Sequence, residues 1–199
     1  MSNIHKDYLG SKFGMWLFLF TEILLFGGLF ILYSSYLHKY PIEFHHAGKE
    51  LNVYFGTGNT LALVTSSFFM ALSITAIQKG DSKKSKIFLF ITLLLAFVFL
   101  INKYFEWGAK FHHGIYPDSP HLLERPKGEI IFYGLYFVMT GLHGLHVFVG
   151  ACIIIYALYL LKIEKINEND FVFLENTGLY WHLVDLIWIY LFPLFYLIV

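Results

Sequence analysis

Apolar residues fall into five long runs, at 13–37, 60–77, 87–105, 130–161 and 179–199, separated by short polar segments. A helix needs roughly 20 apolar residues to cross the hydrocarbon core of a bilayer. Each run approaches or exceeds that length, so the pattern predicts five transmembrane helices. The fourth is longer than a perpendicular crossing requires and is expected to tilt or project beyond the bilayer. The second is the shortest, and its Thr65, Ser66, Ser67 and Ser73 can hydrogen-bond within the helix or to neighbouring helices. No run alternates polar and apolar residues over short segments, as a membrane β-barrel would. The expected fold is an all-α membrane bundle of five helices, a single transmembrane domain over 1–199.

The connections carry the polar residues. Residues 38–58 contain Pro41, His45, His46 and Gly56, residues 106–129 contain Pro117, Pro120 and Pro126, and residues 162–178 mix Lys162 and Lys165 with Glu164, Glu168 and Asp170. The tight segment 78–86 holds Lys79, Lys83, Lys84 and Lys86. By the positive-inside rule it belongs in the cytoplasm. With five crossings, the N-terminus, with Lys6 and Lys12, is then also inside, and the C-terminus outside. The first run is long enough to remain as a span, and no cleavable signal pattern precedes it.

Composition agrees with the pattern. Of 199 residues 57% are hydrophobic and only 14% charged, against about 25% charged in a soluble domain, and mean hydropathy is +0.61. The 20% aromatic content suits lipid-facing surfaces and interfacial belts. Net charge is zero, and no basic cluster with interleaved aromatics is present, so no nucleic-acid partner is expected. The single cysteine, Cys152, lies in an apolar run and reads as a small packed side chain. Glycine-rich phosphate loops, Gly-x-Ser-x-Gly elbows and Cys-x-x-Cys pairs are absent.

The candidate chemistry consists of ionisable residues inside the apolar runs. Such groups are costly at membrane depth unless they face protein or trapped water, which makes them functional candidates. His182 and Asp185 lie one helical turn apart, and Trp181, Asp185 and Trp188 share a face at i, i+4 and i+7. At about 1.5 Å per residue, Glu22, His143, His146, His182 and Asp185 all fall near mid-membrane. A shared internal polar network is the economical arrangement, with His182 and Asp185 as one of its pairs. The plainer reading of His143 and His146 is a pair of structural histidines hydrogen-bonded across the bundle. Metal or haem ligation is the alternative, but the apolar runs carry no Glu-x-x-His pair like those of di-iron bundles. Gly141, Gly144 and Gly150 on the same run would permit close helix contact. Glu22 is either a buried protonated packing residue or part of a proton route. Glu106, at the outer end of its run, is expected to be solvated or to snorkel. Neither His45-His46 nor His112-His113 is assigned a site. Pro193 is expected to bend or finish the last helix.

Three segments together resemble the signature regions of subunit III of haem-copper terminal oxidases: Gly14-Met-Trp-Leu-Phe-Leu-Phe-Thr-Glu22, Gly141-Leu-His-Gly-Leu-His-Val147 and Tyr180-Trp-His-Leu-Val-Asp-Leu-Ile-Trp188. The segment Asn59-Thr-Leu-Ala-Leu-Val-Thr-Ser-Ser67, with Glu106 and Glu175, also matches the family pattern. The likeness runs from about residue 12 to the end, in the family's order.

The resemblance implies a non-catalytic subunit of the bacterial inner membrane, part of a respiratory oxidase that couples aerobic electron transport to proton translocation. Members of the family sit beside subunit I, bind phospholipid and support proton uptake, while haem and copper reside in partner subunits. No cofactor or metal is therefore expected in this chain. Glu22 matches the family's carbodiimide-reactive glutamate, and His143, His146, His182 and Asp185 match its intramembrane polar positions. Longer members have seven spans, with a two-helix unit preceding the other five and a lipid-filled cleft between. Here the glutamate-bearing span comes first, as in short bacterial forms that include quinol oxidases. A relative attached to nitric oxide reductase, a free-standing proton or ion transporter, and a histidine-based membrane metalloenzyme are the rival readings.

Overall fold

The computed structural model describes residues 7–197. Among them the helices are α1 (Tyr8–Lys39), α2 (Pro41–Lys49), α3 (Val53–Gln78), α4 (Ser82–His112), α5 (Pro120–Leu123), α6 (Lys127–Lys162) and α7 (Val172–Tyr196). Five of these, α1, α3, α4, α6 and α7, are long and apolar enough to cross a membrane. No β-strand occurs among the described residues, and the all-α expectation holds. Each of the first four apolar runs lies within one of the five helices, and the fifth does so as far as Tyr196. Its residues 198 and 199, and Lys6 at the other end, lie outside the described residues.

At α3 and α4 the helix outruns its apolar core because a side-chain cap, not hydropathy, fixes its start. Asn52 caps α3 by accepting from the Tyr54 N–H, and Asp81 caps α4 by accepting from the Lys84 N–H. Between those two helices Gly80 takes φ +76°, and the Asp81 N–H bonds the Ala76 carbonyl at 2.9 Å. This left-handed stop lets the chain reverse within a few residues, a conformation that favours glycine. The connections at 38–58 and 106–129 also contain helix, α2 and α5, that hydropathy alone does not reveal. Pro41 and Pro120 sit at their starts, where a missing N–H costs nothing. Phe44, Ala47 and Leu122 then bury against the bundle.

The α3–α4 hairpin is the most intimate contact in the molecule, and α7 packs against α1, α3 and α6. Small polar groups tie the hairpin together: Ser73 to Ser85 at 2.9 Å, Thr92 to the Ser66 carbonyl at 3.3 Å, and Asn102 to Asn59 at 3.0 Å. In lipid there is no hydrophobic drive between apolar helices, so packing and such bonds hold the bundle. The Trp181 indole donates to Ser66 at 2.9 Å and the Trp188 indole to Thr60 at 3.0 Å, clamping α7 onto α3. Of Gly141, Gly144 and Gly150 on α6, Gly150 is the tightest: a Cβ there would fall 2.9 Å from the Trp181 ring. Gly141 faces Trp107, whereas Gly144 has open space.

Candidate polar sites within the bundle

Glu22 of α1 meets His146 of α6, with Oε2 to Nε2 at 2.9 Å. The other ring nitrogen, Nδ1, lies 2.7 Å from the Leu142 carbonyl. A carbonyl only accepts, so Nδ1 carries the hydrogen. Nε2 therefore either accepts from a protonated Glu22 or, as imidazolium, donates to its carboxylate. In both cases one proton is shared between the two side chains. Each is only 14% exposed, and Phe26 presents its ring to the imidazole at 5.4 Å. A groove of about 270 Å³ lined by Met15, Phe18, Leu145, Val149 and Tyr180 reaches His146 from the side of the bundle.

The remaining mid-membrane residues do not join this pair. His143 is wholly buried, with neither ring nitrogen hydrogen-bonded among the described residues, between Phe99 at 5.5 Å and Trp188 at 5.2 Å between ring centres. His182 turns toward α3, where Nδ1 bonds the Ser67 hydroxyl. Asp185 is 4% exposed, and neither of its oxygens completes a well-formed hydrogen bond among the described residues, although the Ser67 hydroxyl that meets His182 also reaches toward it. The expected pairing of His182 with Asp185 is not formed, although they sit one turn apart. The imidazole swings outward to Ser67 while the carboxyl points into the core. The aromatic walls do form, since Trp181 and Trp188 are both buried beside Asp185. A single network of five groups is thus replaced by the Glu22–His146 pair, an isolated His143, and His182 and Asp185 on either side of Ser67.

Glu106 departs most from expectation. It is 6% exposed rather than solvated, and it is bound on every side. Lys103 donates to Oε2 at 2.8 Å, and Tyr136 and Tyr196 donate to Oε1 at 2.8 and 2.5 Å. Lys103 also donates to the Tyr196 hydroxyl at 2.9 Å and lies 4.7 Å from the centre of the Trp188 ring. A carboxylate and an ammonium taken from water together require such added hydrogen bonds to be tolerated. Hydropathy reasoning passed over Lys103, yet its place three residues before Glu106 on one helix is the signal that marks the pair.

Toward the rim, Arg125 bridges Glu50 at 3.0 Å and Glu129 at 3.2 Å, and His46 meets Glu129 at 3.0 Å. His46, left without a role by the sequence, therefore has one partner here. Partial burial would raise the Glu50 carboxyl, but hydrogen bonds from Tyr133 and Arg125 outweigh it and hold the group below the usual range. At the opposite end Lys12 and Glu175 meet at 2.7 Å, joining the start of α1 to the start of α7.

The sequence profile of the family described as cytochrome c oxidase subunit III matches residues 4–198. The chain belongs to that family. A cytochrome c oxidase subunit 3 from Thermostichus vulcanus is 32% identical over 98% of this chain and 89% of its own length. One from Synechocystis is 32% identical over 98% of this chain and 77% of its own. A probable quinol oxidase subunit 3 from Staphylococcus saprophyticus is 30% identical over 94% of this chain and 89% of its own. The subunit III family thus spans cytochrome c and quinol oxidases, and the resemblance read from the three motifs is borne out. Its members are components of an oxidase complex, so association with other oxidase subunits follows from membership. Five spanning helices fit an integral membrane protein of that kind.

Proposed function

We propose that this chain is a non-catalytic subunit III that stabilises the cofactor-bearing subunit I and supports proton uptake into it. On this reading haem and copper belong to partner subunits, phospholipid covers the exposed apolar helices, and the N-terminus faces the cytoplasm of a bacterial cell. The contact between Glu22 and His146 carries the proposal. A carboxyl and an imidazole 2.9 Å apart in an apolar span can exchange a proton with no change in net charge, and charge change is the costly event at this depth. A carboxyl poised in this way suits short-range proton handling beside a larger route, not the redox chemistry itself.

The test uses the intact complex, purified in mild detergent through a tag on this chain. The preparation should contain a haem-bearing oxidase core. In Glu22→Gln the shape and hydrogen-bonding capacity of the side chain persist while the exchangeable acid is lost. Assembly and haem spectrum should be unchanged, with turnover declining modestly over sustained catalysis. Complete loss of oxygen reduction in an assembled Glu22→Gln complex would contradict a supporting role, and a haem-free homo-oligomer would contradict the subunit reading itself.

A further inference from the structure

Although α1 and α3 both pack on α7, they do not touch each other. Their separation leaves a strip of α7 uncovered, on which Leu186, Ile189 and Tyr190 are about half exposed. On the α1 side the strip is bordered by Ile23, Gly27 and Phe30, with a groove of about 290 Å³ between the helices. On the α3 side Val64 and Phe68 are exposed and Ser67 is partly so. The result is a trough floored by α7 and walled by two helices that stand apart.

His182 lies one turn before Leu186 and near the middle of α7. Its Nδ1 is taken up by Ser67, but Nε2 has no hydrogen-bond partner among the described residues and is not closed off in the core. Acyl chains offer no hydrogen bond, and an unmet imidazole nitrogen in hydrocarbon is costly. The outward faces of the other helices contrast with this. Phe90, Leu94 and Phe97 on α4, and Leu145, Phe148 and Ile155 on α6, are exposed and apolar throughout, which suits lipid.

We propose that the α1–α7–α3 trough is the docking surface for a transmembrane helix of a partner oxidase subunit, which presents a hydrogen-bonding side chain to His182 Nε2 at mid-membrane. The inference rests on the oxidase reading above and adds the face that the complex uses. The apolar floor and the gap between the walls accommodate a helix, and the imidazole sets its register.

The experiment places a photoreactive benzoylphenylalanine at Phe68 or Leu186 in the trough and, as controls, at Phe97 or Phe148. Each variant is purified as the tagged complex and illuminated. Trough positions should crosslink to a membrane segment of another subunit, and control positions should not. A second arm compares retention of the oxidase core in His182→Phe, His182→Gln and Ser67→Ala complexes. Loss of one well-made hydrogen bond with its partner left unsatisfied corresponds to roughly tenfold weaker association. That loss is expected for His182→Phe, with rescue by His182→Gln and little change in Ser67→Ala, which removes only the internal bond. A core that co-purifies but crosslinks only from Phe97 or Phe148, or trough probes that capture phospholipid alone, would overturn the assignment while leaving the oxidase reading intact. Equal loss in His182→Phe and Ser67→Ala would also overturn it, since the effect would then be internal. Failure of any core to co-purify would remove both.

Discussion

Glu106 accepts hydrogen bonds from Lys103, Tyr136 and Tyr196 and so joins α4, α6 and α7 at one buried point. Removing it leaves an ammonium in the core without its counter-charge, a loss of about 3–5 kcal/mol for a pair of this kind. Glu106→Ala should therefore lower the unfolding temperature of the detergent-purified protein substantially. The double variant Lys103→Met, Glu106→Leu should recover most of it, because apolar replacement of both partners is often neutral. Equal melting of the single and double variants would show that the charge pair is not what holds the cluster. Glu50 gives a pH dependence of known sign. Its carboxyl is held below the ordinary 4.5 by Tyr133 and Arg125 against the opposing effect of partial burial. A depressed folded value means the stabilisation is complete above the unfolded value and is lost as pH falls from about 4.5 through the folded value. When both are normalised at neutral pH, the wild type should thus lose more stability on acidification and unfold at higher pH than Glu50→Gln, which has no such contribution to lose. Identical acid limbs would remove Glu50 from the account.

The five spanning helices were legible in the sequence, and their rotation was not. Counting residues from the span ends aligned Glu22 with His146 in depth, and the structure brings those two together. The same count aligned His143 and Asp185, which complete no well-formed hydrogen bond among the described residues, because depth says nothing about which way a side chain points around its helix axis. His182 and Asp185 fail to pair for a related reason: Ser67 on α3 offers the imidazole a partner that spacing along α7 cannot reveal. The caps were written in Asn52 and Asp81, but hydropathy runs do not weigh them, so α3 begins well before its apolar core. Close packing at α6 and α7 is likewise visible only in three dimensions. A Cβ at Gly150 would press on the Trp181 ring at 2.9 Å, and Trp181 is wholly buried and bonded to Ser66. Gly150→Val should therefore destabilise the bundle by about 1–3 kcal/mol through overpacking. Gly144→Val, where nothing lies within reach, should be nearly silent by comparison. Thermal unfolding followed by tryptophan fluorescence separates them, and equal shifts would mean the α6–α7 contact is looser than described.

For the whole molecule, the charge asymmetry between the two ends of the bundle makes its orientation testable. The α3–α4 turn carries Lys79, Lys83, Lys84 and Lys86, of which Lys84 is neutralised by Asp81 at 2.8 Å. Three lysines therefore remain beyond that local pair, in a connection short enough for the positive-inside rule to apply. At the other end Arg125 is absorbed by Glu50 and Glu129, and Lys103 is buried against Glu106. The α3–α4 turn thus holds the densest run of unpaired lysines among the connections, and that local density sets the expected orientation. The predicted topology places that turn in the cytoplasm and the 113–119 connection outside. Cys152, exposed on the lipid face of α6, is first replaced by Ser to give a silent background. A single cysteine at Ser82 should then resist a membrane-impermeant thiol reagent in intact cells and react after lysis. One at Asp118, which sits in an exposed turn with φ 68°, should react in both. The reverse labelling pattern would invert the topology and place the α3–α4 lysines outside. It would leave the fold and the family untouched, because neither the bundle packing nor the profile match depends on which way the chain is inserted.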